Sequence, residues 1–183
     1  MGTPKEPQPV KLFAALLSHH EELFPSVERN LTTLFGSIES SSGPFPWTAT
    51  DYYEEEMGPE LQRRFVSFAP LISPERLPEI KLRTQGLEEN YQWIGTERRK
   101  RRVNIDPGYL DVGKVVLAST KNASHRIYLG SGIWGEITLL FHSGSFQSFS
   151  YTYPDYVWPE TLSFLAALRS LYLNQLKERR KTY

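Results

Sequence analysis

A chain of 183 residues with 39% hydrophobic content and a mean hydropathy of −0.43 is sized for one soluble globular domain. Its 21 basic residues balance 21 acidic ones, so no global field draws it to nucleic acid or an anionic membrane. The absence of cysteine excludes disulfides, thiolate nucleophiles and cysteine-held metal clusters, and no apolar run reaches the length of a membrane span.

Residues 1–10 read as a polar, proline-rich lead-in. They lack the apolar core of a secretory signal, and Glu6 breaks the myristoylation pattern, so a cytoplasmic location is expected. The run K-L-F-A-A-L-L over 11–17 is expected to be a strand. Ser18 and Glu21 form a capping-box pattern, and Leu23, Val27, Leu31, Leu34 and Phe35 then fall at helical spacing before Gly36, giving a helix over about 19–35. A weak strand at 37–39 leads into the turn-rich S-S-S-G-P-F-P-W. Residues 61–71 form a further strand. Ser73-Pro74 opens a second helix whose apolar face is Leu77, Ile80, Thr84, Leu87 and Tyr91, with Lys81, Gln85 and Glu88 on a flanking stripe. The strand R-V-N-I-D then ends at Pro107-Gly108.

The order to this point predicts an α+β fold with a ferredoxin-like βαββαβ core over 11–106: an antiparallel sheet with both helices on one face. Asp111 would cap a short helix over 112–119, although the valines there leave a strand open. A hairpin (126–129 and 133–141), a third strand (145–153) and a C-terminal helix opened by Pro159 complete a single domain. The extension at 107–158 carries most of the site residues, and 159–183 is the helical tail. On that helix Leu162, Leu165, Leu168, Tyr172 and Leu176 form the apolar face, and K-E-R-R-K places cations at its C-terminal end.

Chemistry-capable residues gather between Val103 and Arg126. Asp106 and Asn104, two apart, share a strand face. Asp106 could act as a base, or simply cap the Pro-Gly turn. Ser119, Thr120 and Lys121, followed by His125 and Arg126, suit the capture of phosphate or carboxylate. His125 could titrate near neutrality as general acid or base. The plainer alternative is an exposed turn, with Arg126 pairing Glu136 across the hairpin. Lys81 is a further candidate for the anion, and Tyr52, Tyr109, Tyr153 and Asp155 for the walls. Asp51 and Glu56 could join Asp106 around Mg²⁺, although D-Y-Y-E-E-E also reads as a solvated helix start. Adjacent His19 and His20 point apart on a helix and, with His142, read as surface residues.

The basic run at 98–102 (Arg98 to Arg102), with Tyr91 and Trp93 nearby for stacking, is the one segment suited to RNA or DNA. No G-x-x-x-x-G-K-[ST] phosphate loop, G-x-G-x-x-G fingerprint, G-x-S-x-G elbow or H-E-x-x-H helix is present.

The motifs T-D-Y-Y-E-E-E-M-G, R-V-N-I-D-P-G-Y-L, V-L-A-S-T-K, S-H-R-I-Y-L-G, G-E-I-T-L and Y-P-D-Y together resemble a bacterial family catalogued as domain of unknown function 4416, over nearly the whole chain. The resemblance implies no established activity. Some relatives are labelled GTP-binding, a label that the missing phosphate loop does not support. Gly86 departs from the helix former expected there and puts the rigidity of the Lys81–Glu88 stripe in question. The reading is a polar pocket for an anionic, phosphorylated or nucleotide-like small molecule, with Asp106 and His125 as acid–base pair. A non-catalytic protein-interaction or RNA-binding module is the alternative.

Overall fold

The computed structural model describes residues 2–92 and 101–181, apart from the Tyr52 side chain. Trp93 and residues 98–100 of the basic run therefore lie outside the described residues. Strand β1 (Val10–Ser18) is followed by α1 (Phe24–Phe35), β2 (Ile38–Ser41), the two-residue β3 (Phe45–Pro46) and the single turn α2 (Glu54–Met57). Next come β4 (Gln62–Ile72), α3 (Leu77–Glu89), β5 (Asn104–Leu110) and β6 (Lys114–Ser119). The chain closes with β7 (Ile127–Gly130), β8 (Ile133–His142), β9 (Ser145–Ser148) and α4 (Pro159–Lys181). The strands make one sheet in the order β2-β4-β1-β5-β6-β8-β7, with β3 on β4 and β9 on β8. Neighbouring strands are antiparallel. The molecule is thus a mixed α/β fold built on a large antiparallel sheet, with four α-helices among the described residues.

Strand β1 is buried along its whole length, and the pleat explains why it needs to be. Its even-numbered residues Leu12, Ala14 and Leu16 pack under α1 and α3, against Val27, Leu31 and Ile80. Its odd-numbered Phe13 and Ala15 meet α4 through Phe164, Leu165 and Leu168. A strand covered on both faces requires a continuous apolar run, and K-L-F-A-A-L-L supplies one. Its single charge, Lys11, is fully buried.

Several sequence expectations are corrected. Ser18 does not cap α1: its hydroxyl accepts from the His20 N–H at 2.9 Å and donates to the Arg102 carbonyl at 2.7 Å. The helix starts instead at Phe24 with Pro25 in its first turn. Residues 114–119 form strand β6 rather than a helix, because the Asp111 carboxylate accepts the N–H groups of Gly113 and Lys114 and makes a turn. The strand expected at 145–153 stops at Ser148, where Thr152 accepts from the Phe149 N–H and folds the chain into a turn. Gly86 does not interrupt α3, which is continuous to Glu89.

Nor do Pro107 and Gly108 end their strand, since β5 runs through them to Leu110. The Ile105 N–H bonds to Glu88 and its carbonyl to Lys81, so both backbone groups point away from β1. Two residues on, Pro107 faces the same way, and pairing with β6 begins only at Gly108. The missing donor therefore falls where no strand partner waits for it. Gly108 is required by space: a Cβ there would lie 2.6 Å from the Val116 carbonyl and 2.8 Å from Phe13 Cζ.

Candidate functional site

Below Gly108–Leu117 the two middle strands of the sheet part company, because β5–β6 pairing covers only three residue pairs. Helix α3 stitches the open edge of β5 by sending Lys81 and Glu88 to the backbone of Ile105. A cavity of about 170 Å³ occupies this fork and is partly open to solvent. Its walls come from β5 and β6, from the loops after Pro46 and Ser119, from α3 and from the turn before α4.

The charged groups on its wall are mostly matched to one another. Arg101 grips Glu56 with two bonds of 2.7 and 2.8 Å and gives a third to Asn104. Asn104 in turn donates to Asp106 at 2.7 Å, and Lys81 reaches the other Asp106 oxygen at 3.1 Å. Burial opposes ionisation of Asp106, but Lys81 and Arg63, with the bonds from Lys81 and Asn104, more than offset it and hold its pKa below the usual value. Arg126 bonds to Glu136 (2.7 Å), Ser119, the Lys121 carbonyl and Tyr153. Four of its five guanidinium hydrogens are thereby engaged, as the hairpin pairing of Arg126 with Glu136 anticipates.

Glu88 is different. Burial pushes its carboxyl up to about 7, and the charge of Lys81 and the Ile105 N–H offset this only in part. It is 5% exposed and lines the cavity.

The floor is formed by Arg63, Trp47, Tyr156 and Asp155, and of these Asp155 and Tyr156, both in the Y-P-D-Y motif, were singled out from the sequence. Arg63 is 4% exposed; its Nη2 lies 2.9 Å from Asp155, while Nε and Nη1 have no hydrogen-bond partner. The Trp47 indole N–H and the Tyr156 hydroxyl are likewise buried without partners. Burial would weaken the charge of Arg63, but Asp155, with smaller contributions from Tyr156, Asp106 and Tyr53, more than restores it and raises its pKa overall. Tyr156 is raised well above the usual phenol value by burial, so its hydroxyl keeps its proton and can donate. The guanidinium also lies 5.7 Å from the Trp47 ring centre and 6.0 Å from that of Phe65. Arg63 had a signal in the sequence: it precedes Phe65 and Ser67 at the two-residue spacing of one strand face, a charge in an inward register.

The cavity therefore brings together Asn104, Asp106, Lys81, Lys121, Arg126 and Glu136, and with them Tyr153 and Asp155. It does not include His125, whose ring stacks on Tyr151 at 4.2 Å with Nε2 3.3 Å from Glu136. Tyr109 is also off the wall: the pleat turns it away from Asn104 and Asp106, into apolar clusters. Asp51 is exposed and Glu56 is held by Arg101. Among the described residues no three carboxylate or imidazole groups gather to hold a metal, so the Mg²⁺ set of Asp51, Glu56 and Asp106 is not assembled. No helix among the described residues is long and apolar enough to cross a membrane.

Fold and site together define an α/β protein with a charged, aromatic-walled cavity opened between two strands of one sheet. The chain belongs to the family described as domain of unknown function (DUF4416), which it matches over residues 8–172. No curated protein and no solved structure matches it.

Proposed function

We propose that the protein binds a small anionic molecule in the fork between β5 and β6. The observation that carries this reading is the collection, on one cavity wall, of five cationic side chains with tryptophan and tyrosine rings. Such a mixture of apolar walls and few convergent polar groups is how small-molecule sites are built. Volume limits the ligand. A cavity of about 150 Å³ holds a benzene ring, so a whole nucleotide would protrude from this one into solvent. That favours a compact anion over the nucleotide-like option.

The geometry does not favour Asp106 and His125 as an acid–base pair, because only the former reaches the cavity and its carboxyl is held ionised. Glu88, with a pKa near neutrality, is the cavity group suited to exchanging protons with a ligand. We further read the order β2-β4-β1-β5, with α1 and α3 on one face, as a ferredoxin-like core carried within a single domain.

One observation favours a second reading, a protein-interaction module: edge strand β7 exposes Ile127, Tyr128 and Leu129. Nucleic acid is less well supported, since Arg101 is clamped by Glu56. A thermal-shift screen of sugar phosphates, nucleotides, small carboxylic acids and divalent ions separates these readings. A small anion should stabilise the wild type in proportion to the logarithm of its concentration, and less so Lys121→Ala. Failure of every anion at millimolar concentration would remove the small-molecule reading.

A further inference from the structure

The cavity has two kinds of polar group, and only one kind is waiting for a partner. On the upper wall the guanidinium of Arg126 and the Asn104–Asp106 pair are held by neighbouring side chains and backbone. On the floor, two nitrogens of Arg63, the Trp47 indole N–H and the Tyr156 hydroxyl are buried donors without a hydrogen-bond partner, beside one buried acceptor, Asp155 Oδ2, that Arg63 meets as an ion pair. A buried polar group without a partner costs about 1–3 kcal/mol, and native proteins rarely leave several side by side. Three such side chains on one floor form a seat for an acceptor that comes from outside the chain.

We infer that the ligand is a small, planar monocarboxylic acid whose carboxylate rests on Arg63, Trp47 and Tyr156. This deepens the reading of the cavity as an anion site and rests on it. The donors are guanidinium N–H groups, an indole N–H and a phenol O–H, each complementary to an oxyanion. Asp155, 2.9 Å from Arg63 and almost fully buried, fixes the charge of the head group. It already matches the one cation on the floor. A carboxylate adds one negative charge beside Asp155 where a doubly charged phosphate adds two, and a buried site tolerates the larger excess less well. A carboxylate brings one charge and two acceptor atoms. The body of the ligand follows from volume and walls: about 170 Å³ suits a six-membered ring, and the Trp47 and Tyr53 rings, 5.6 Å apart at 60°, offer flat apolar surface to it.

The test uses three probes that share a ring: benzoate, phenyl phosphate and benzyl alcohol, titrated calorimetrically into the full chain. Benzoate is expected to bind at least tenfold more tightly than either of the others. Tyr156→Phe removes the hydroxyl and keeps the ring, and Trp47→Phe removes the indole N–H along with part of the bicyclic ring, so each should weaken benzoate roughly tenfold or more. Arg63→Gln should abolish binding; if that variant does not fold, the two conservative variants decide. Tighter binding of phenyl phosphate, or benzoate binding indifferent to both Phe variants, overturns the carboxylate seat. If phenyl phosphate binds and is weakened by Lys121→Ala but not by Trp47→Phe, the seat falls and the anion reading stands. If neither anion binds the wild type, both fall.

Discussion

Two cations lie buried on adjacent strands of the same sheet, and they are treated in opposite ways. Lys11 on β1 donates to the carbonyls of Phe68 and Ala69 and forms an ion pair with the carboxylate of Glu39. Arg63 on β4 has one ion pair and two nitrogens without hydrogen-bond partners. Burial lowers the pKa of Lys11, and Glu39 only partly compensates, whereas Asp155 and its anionic and phenolic neighbours together more than compensate at Arg63. Both residues are charges in apolar surroundings, so burial alone does not mark a binding site. Unused hydrogen-bonding capacity facing a cavity does.

The contrast can be attacked from either end. The largest effect is expected at the satisfied end. Lys11→Met should cost about 3 kcal/mol in denaturant unfolding, because Glu39 is left without its cation, and should leave benzoate affinity unchanged. Next comes Glu88, whose protonation tests the electrostatics of the cavity. Its folded pKa of about 7 exceeds the ordinary 4.5, so between those values the folded state binds more proton than the unfolded one. Its contribution to stability therefore falls as pH rises from about 4.5 to 7, by on the order of 3 kcal/mol. Glu88→Gln, which can still accept from the Ile105 N–H, should flatten that slope in unfolding measured across pH. Asp106 acts in the opposite sense: its lowered pKa gives stability that is lost only as pH drops through its folded value.

A third substitution bears on the scaffold that holds the fork open. Gly108→Ala should destabilise by about 1–3 kcal/mol through overpacking against the Val116 backbone and Phe13. The smallest effect is expected at the unsatisfied end. Tyr156→Phe removes a hydroxyl that bonds to nothing in the free protein, so stability should change by less than about 1 kcal/mol, toward greater stability. A loss of several kcal/mol in Tyr156→Phe would mean that this hydroxyl already has a partner, and the distinction between the two cations would collapse.

Much of the architecture was legible because it is written in local periodicity. The continuous apolar run of β1, the helical spacing of Leu77, Ile80, Thr84 and Leu87, and the Pro159 helix start depend on neighbours in the chain. The Asn104–Asp106 shared face and the Arg126–Glu136 pair followed from strand geometry alone. What was misread depends on partners distant in sequence. Pro107 reads as a strand breaker unless it is known that β6 has not yet joined β5 at that point. Tyr109 looked like a wall residue until the strand continued past the proline and fixed its parity. His125 is adjacent to Arg126 in sequence, yet only the arginine turns inward, while the imidazole stacks on Tyr151. Trp47 and Tyr156 belong to loops that no pattern connects, and their unused donors are visible only once burial is known.

The most direct test of the account is the indole N–H resonance of Trp47, assigned by its loss in Trp47→Phe and followed by ¹H–¹⁵N correlation spectroscopy during titration with benzoate. Donation to a carboxylate predicts a saturable downfield shift of that proton, which disappears in Arg63→Gln. A Trp47 resonance that stays fixed while benzoate binds would contradict the seat at Arg63.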